Sequence, residues 1–285
     1  MLKIVEKTKL WFAISLIIIT IGMVTLAIRG LNVGIDFAGG TVVTIQIGKD
    51  FNVEDVRKIA EKYDKQAQVQ EIQGNEVTIR GKEIEDAEVK QMFNEVKEKY
   101  QLKEDAMRDS ARQGPSVSKE LKRNSVLAML VAAALMLVYI TFRFEYKSGV
   151  SAIVALLHDV LITVSVYALL NIPVNSSFIA ALLTILGYSI NDTIVVFDRI
   201  RENKKLGRYK DYGTLANASI TQTMSRSINT VLTTLFTITA VYILGVPSIK
   251  EFALPLIIGI LSGTYSSIFI ASPLWVLWKK KEKYA

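Results

Sequence analysis

Six long apolar stretches, near residues 10–28, 125–142, 149–170, 177–197, 227–246 and 252–278, alternate with charged segments along the whole chain. A helix rises 1.5 Å per residue, so each stretch can cross a hydrocarbon layer of about 30 Å. The alternation is the pattern of membrane spans rather than of one buried core. It predicts a six-helix transmembrane bundle, with the one long polar segment, 31–122, folding outside the membrane between the first and second spans.

The charge of the short connections orients this bundle. With the N-terminus inside, the inner segments 1–9, 143–148, 198–226 and 279–285 carry 3, 2, 7 and 4 Lys or Arg; the outer segments 29–30, 171–176 and 247–250 carry 1, 0 and 1. Positive charge gathers on the cytoplasmic side, which places both termini there. The net charge of +7 is therefore a topology signal, and no nucleic-acid partner is implied. The basic inner segment 198–226, expected to be a partly helical loop, suits contact with anionic membrane lipid. The apolar part of the first span is longer than the core of a secretory leader and ends without a small-x-small site, so it is expected to stay as a signal-anchor. Trp275 and Trp278 ahead of Lys279, Lys280 and Lys281 suggest an interfacial anchor at the inner end of the last span. The chain has no cysteine, so no disulfide supports the outer domain.

The organisation is thus 1–30 as tail and first span, 31–122 as the outer domain, and 123–285 as spans two to six with the inner loop 198–226 and a basic tail. Within the domain, β-branched Thr41–Ile47 predicts a strand, and 53–63 a helix with Val53, Val56, Ile59 and Ala60 on one face. Short strands follow at 66–72 and 77–80 about a turn at Gln73-Gly74-Asn75. Residues 83–100 give a second helix faced by Val89, Met92, Phe93, Val96 and Tyr100, and a weak last strand is expected near 105–112. The order β-α-β-β-α-β is the ferredoxin-like, split-βαβ arrangement. The domain has no His or Cys, and its charges are interspersed, so it is expected to bind or to move rather than to catalyse.

Two junctions join domain and membrane. Gly34, Asp36, Gly39 and Gly40 follow the first span; the glycine pair offers positive-φ freedom for a sharp bend, and Asp36 is placed to cap or hold that turn. Gly114 and Pro115 serve the return path into the second span.

Charged groups inside a span are costly, about 2.5–3.5 kcal/mol on insertion scales, and mark a relay, a pair or a cavity. Asp159 lies near the middle of span three beside His158, the only histidine. Asp192 lies inward of the middle of span four, with Asn191 adjacent and Tyr188 and Ser189 a turn away. An acid held between burial and a nearby cation can be poised to exchange a proton. Arg226 opens span five on the same side, within reach of Asp192 or snorkelling to the interface. Thr230, Thr233 and Thr237 continue a polar stripe from Arg226; it either lines an ion path or bonds its own helix carbonyls. Asp159 with His158 is either a second ion site or a buried pair that fixes helix packing. A lone His offers too few ligands for a metal. Gly259, Gly263 and Ser267 recur at steps of four in span six, spacing that lets another helix approach closely; whether that helix is this chain's own stays open.

Three stretches resemble the SecD/SecF family: Gly34-Ile35-Asp36-Phe37-Ala38-Gly39-Gly40, Gly114-Pro115-Ser116-Val117-Ser118-Lys119-Glu120-Leu121, and Gly187-Tyr188-Ser189-Ile190-Asn191-Asp192-Thr193-Ile194-Val195-Val196-Phe197-Asp198-Arg199-Ile200-Arg201-Glu202-Asn203. The second has Ser118 where the family usually has Gly. The third has the form of the SecF branch. The resemblance implies one half of an arrangement like that of the resistance-nodulation-division (RND) transporters, in a bacterial plasma membrane. It further implies SecD as partner, a place beside the Sec protein-conducting channel, and an exported preprotein as cargo. Proton or sodium is implied as the coupling ion, with no other cofactor, and Asp192 and Arg226 match the family's intramembrane Asp and Arg. An alternative is half of an RND-like exporter of lipids or small molecules. That reading fits less well with one six-span repeat and a small charged domain. A membrane-bound enzyme is a third reading, disfavoured because the sequence shows no nucleophile–base set or metal cluster.

Overall fold

The computed structural model describes residues 1–48, 50–65, 67–72 and 75–280. The first span is helix α1 (Thr8–Arg29), closed by Gly30 at φ 74°. A single turn, α2 (Ile35–Ala38), leads into strand β1 (Gly40–Gln46). The domain continues with α3 (Val53–Ala60), β2 (Gln68–Ile72), β3 (Glu76–Gly81), α4 (Asp86–Tyr100) and β4 (Met107–Gln113). Its four-stranded sheet has the order β2-β3-β1-β4 and every neighbouring pair is antiparallel. That is the ferredoxin-like topology, in which each helix crosses over one strand position. Alternation explains the register: Val43 and Ile45 of β1 pair with Ile79 and Val77 of β3, and all four are fully buried. They meet Val56 and Ile59 of α3 and Val89, Met92, Phe93 and Val96 of α4. Reciprocal bonds between Glu85 and Glu88 cap α4. The expected start at Gln66 and the turn residues Gln73 and Gly74 lie outside the described residues.

Gly114 caps α5 (Pro115–Arg143), whose first residue is Pro115, a position where the missing N–H costs nothing. Then come α6 (Tyr146–Leu170), α7 (Ser176–Lys205), α8 (Tyr212–Leu244) and α9 (Pro247–Ser266). A π-helical segment (Ser267–Ala271) and α10 (Ser272–Lys279) complete the last span. Pro273 has no N–H to donate to the preceding turn, and the π segment just before it absorbs that irregularity. Among the described residues, six helices are long and apolar enough to cross a membrane.

Helices α7 and α8 overrun their apolar windows at the inner side. Asp211 accepts from Thr214 N at 2.9 Å to start α8, so 198–226, expected as a partly helical loop, is helix except for the connection 206–211. Of the two tryptophans expected as an interfacial anchor, Trp278 is half-buried and Trp275 lies in the core instead. Trp275 is only 2% exposed; its indole donates to Glu145 at 2.6 Å and packs on Phe197 and Tyr212. Lys279 pairs with the same Glu145 at 2.9 Å. A Trp before a basic run fits an interface and a polar-tipped core site equally well, and here the core holds it.

The domain rests on the outer end of the bundle. Gly39 and Gly40 have φ 81° and 145°, and a Cβ on Gly40 would lie 2.4 Å from Gly81 O. The junction therefore needs glycine for both conformation and closeness. Val33 bridges Val174 in parallel, and a Cβ on Gly34 would be 3.0 Å from Val174 O. Asp36 reaches beyond its own turn: its Oδ2 accepts from Ser176 N, the first residue of α7, at 2.8 Å. Glu251 of α9 accepts from Arg80 and Gln70 of the sheet, each at 2.8 Å, and from Asn175 at 2.5 Å.

Candidate functional site

The two intramembrane acids occupy opposite kinds of environment. Asp159 of α6 is fully buried and saturated with donors. Ser262 donates to Oδ1 at 2.7 Å, and Ser189 and Ser266 donate to Oδ2 at 2.7 and 2.8 Å. His158 Nδ1 lies 3.1 Å from Oδ1, while its Nε2 lies 2.9 Å from Ser15 Oγ of α1. A proton on Nδ1 satisfies both contacts, with Nε2 accepting from the serine. The His158 ring also stacks on Tyr265. One carboxylate thus ties α6 to α7 and α9 directly, and to α1 through His158.

The small residues of α9 bring the serines close enough. A Cβ on Gly259 would fall 2.2 Å from Ile185 and one on Gly263 2.8 Å from Ser189. The helix that approaches the small-residue stripe is therefore this chain's own α7. At its end Ser267 Oγ meets Thr193 Oγ1 at 2.7 Å and Ser189 O at 3.3 Å.

Asp192 lies about 24 Å along α7 from its outer end, at 1.5 Å per residue. It is 8% exposed. Its Oδ1 accepts from Ser227 of α8 at 2.5 Å, whereas Oδ2 is buried without a hydrogen-bond partner. Arg226, the neighbour of Ser227, acts on this carboxylate through space; no ion pair joins them among the described residues. Its side chain instead lines an open cavity of about 570 Å³ between the inner ends of α5, α7 and α8.

The remaining polar residues sit elsewhere. Asn191 is exposed on the outer face of α7. The Tyr188 hydroxyl bonds to Thr230 O at 3.2 Å and to Thr234 Oγ1 at 3.1 Å, joining α7 to α8. Thr230, Thr233 and Thr237 are exposed, and each donates to a carbonyl of its own helix. Ser189, expected near Asp192, bonds to Asp159. Ser15, Ser227, Ser262 and Ser266 were not anticipated; the run Ser262-Gly263-Thr264-Tyr265-Ser266-Ser267 inside a span was the available signal. Among the described residues no cluster of three or more His, Cys, Asp or Glu is placed to hold a metal.

Comparison with known proteins gives this geometry a family. The family described as protein export membrane protein SecD/SecF, C-terminal, matches residues 89–281, and the SecD/SecF GG motif matches 24–50. Protein translocase subunit SecF of Dictyoglomus turgidum is 39% identical over 96% of this chain and 96% of its own length. Protein translocase subunit SecDF of Thermus thermophilus is 41% identical over 90% of this chain and 35% of its own, so the chain spans about a third of that relative. The crystal structure of SecDF from Thermus thermophilus, a translocon-associated membrane protein, superposes with a TM-score of 0.81 at 38% identity, covering 98% of this chain and 39% of that one. A crystal structure of SecDF in a super-membrane-facing form gives a TM-score of 0.76 at 37% identity, covering 98% of this chain and 39% of that one. With matches that run from the glycine junction to the last span, this chain belongs to the SecD/SecF family.

Proposed function

We propose that the chain is the SecF-type half of an accessory unit of the Sec translocase, working with SecD beside the protein-conducting channel. In this reading it helps draw exported preproteins outward across a bacterial plasma membrane, at the expense of a proton or sodium gradient. Both termini are cytoplasmic, and the α+β domain faces outward. Asp192 takes up and releases the coupling ion, with Arg226 as the nearby charge that favours release.

The observation that carries the ion role is the buried, unbonded Asp192 Oδ2. A carboxylate oxygen without a donor can accept a proton or cation without first breaking a bond, and a buried unsatisfied polar atom calls for an explanation. Asp159 has no such vacancy. The exposed polar face of α7 and α8, with Asn191, Thr230, Thr233 and Thr237, is where the SecD half fits in this reading.

Export into membrane vesicles, with and without a gradient and at matched protein levels, tests the reading. Asp192→Asn keeps the shape and the Ser227 contact but cannot titrate. It is expected to insert and assemble, to lose the gradient-dependent increment, and to keep motor-driven entry. Full retention of the increment overturns the assignment of Asp192.

A further inference from the structure

We infer that the cavity between the inner ends of α5, α7 and α8 binds the phosphate headgroup of an anionic phospholipid. Its lining holds five cations, Arg143, Arg199, Arg201, Lys205 and Arg226, against two acids, Asp198 and Glu202. The acids are engaged: Arg143 pairs with Asp198 at 3.3 Å and Arg199 with Glu202 at 2.6 Å. Arg201 donates to the Arg143 carbonyl at 3.2 Å, which neutralises no charge. Lys205 and Arg226 form no ion pair among the described residues. An open pocket of about 570 Å³ with an excess of guanidinium donors matches the geometry of phosphate oxygens.

Depth and surroundings favour a lipid over a dissolved anion. The 30 residues of α7 extend about 45 Å, roughly 15 Å more than the hydrocarbon layer, so its last turns, which bear Arg199 to Lys205, lie at headgroup level. Arg226 stands about 27 Å from the outer end of α8, near the inner edge of the hydrocarbon. The wall that supplies Arg143 is α5, whose exposed Tyr139 and Leu135 lie one and two turns before Arg143 on the same helix face, so an acyl chain finds apolar surface beside the cations. Basic pockets between helices on the cytoplasmic side are the recognised chemistry for anionic headgroups. The inference stands on the cavity and holds whether or not Asp192 carries the coupling ion.

Native mass spectrometry of the full-length chain, released from detergent with defined lipids added, reads the site. Phosphatidylglycerol is expected to remain bound where phosphatidylethanolamine does not. Each cation removed is expected to weaken retention roughly fivefold, so Arg201→Gln with Lys205→Gln gives about a 25-fold loss. The charge-keeping pair Arg201→Lys with Lys205→Arg should restore most of it, which separates lost charge from lost fold. Millimolar inorganic phosphate should not displace the lipid. Equal retention of the two lipids, or undiminished binding by the glutamine pair, overturns the inference. So does displacement by phosphate alone, which would make the cavity a small-anion site. Loss of the lipid when the chain is purified with its partner subunits would make the cavity a protein interface, and overturns it too.

Discussion

Asp159→Ala removes a carboxylate that accepts from three serines and contacts His158. Side-chain hydrogen bonds between membrane helices average about 0.6 kcal/mol each, so the three lost serine contacts amount to about 1.8 kcal/mol, and the contact with His158 of the same helix is lost as well. The stranded hydroxyls and the empty volume raise the expected destabilisation to about 3–4 kcal/mol. Asp159→Asn should cost less than about 1 kcal/mol, because an amide offers one acceptor and two donors, and the serine hydroxyls can rotate to accept. Asp192→Ala loses a single bond from Ser227 and also deletes a buried oxygen that had no partner; it should stay within about 1 kcal/mol of the parent. Denaturant titration of the purified chain in mixed micelles, followed by fluorescence of Trp11, Trp275 and Trp278, measures all three. The reasoning fails if Asp159→Ala is as stable as the parent, or if Asp192→Ala is the more damaged of the two. In vesicles Asp159→Asn should keep gradient-dependent export, and loss of that activity would return Asp159 to the ion path.

Single cysteines at Lys65, Asn175 and Arg208 should react with an impermeant thiol reagent in intact cells at the first two positions only; labelling at Arg208 would invert the orientation. Glu251→Gln takes the charge from the contact that holds Arg80, Gln70 and Asn175, and should loosen the domain on the bundle. Faster hydrogen exchange at β2 and β3, with the domain core still protected, is the expected readout; unchanged exchange would show that the other junction contacts suffice. The isolated domain, residues 31–120, should unfold cooperatively, with two pH limits set by one contact. Bonds from Lys62 and then Tyr63 hold Glu95 below the usual carboxylate range. Its stabilisation is therefore present above the ordinary Glu value and lost as pH falls through the lowered one. Burial, then Glu95, pushes Tyr63 up to about 12; that contribution is intact below the ordinary phenol value near 10 and disappears as pH rises through about 12. Glu95→Gln should flatten the acid limb, as followed by circular dichroism.

The spans and the sheet order were legible because each rests on a repeated signal: apolar length for the spans, and period two or 3.6 for the domain. The site was legible only in part. Spacing located Asp159 and Asp192, since acids are costly in hydrocarbon and stand out. It did not reveal their environments, because these depend on serines from α1, α8 and α9, and a serine in a span serves packing as readily as bonding. Ser189 lies three residues from Asp192 on one helix, and nothing in that spacing tells which neighbouring carboxylate its hydroxyl meets. The threonines of α8 show the same limit: a stripe is visible in sequence, but its orientation depends on how α8 packs, and here it faces outward. Trp275 misled because its place in the core depends on Glu145, in a distant connection, reaching its indole.

The contrast between the two acids follows from their places on shared helices. The start of α7 is fixed to the domain side, where Ser176 N bonds to Asp36 and Asn175 bonds to Glu251. The same helix carries Ser189 and then Asp192 further inward. Along its middle, α7 is seated against α9 at Gly259 and Gly263, and Asp159 bonds to both helices at once. Two helices held in this way resist sliding past one another, because any shift would break several buried bonds together. In the proposed function, a displacement that starts when Asp192 gains or loses its ion therefore moves α7 and α9 as one body. Glu251, near the start of α9, lies at the outer end of that body and holds the sheet through Arg80 and Gln70. A saturated Asp159 and an unsaturated Asp192 are then complementary: the first keeps the lever rigid, and the second gives the ion a place to act on it.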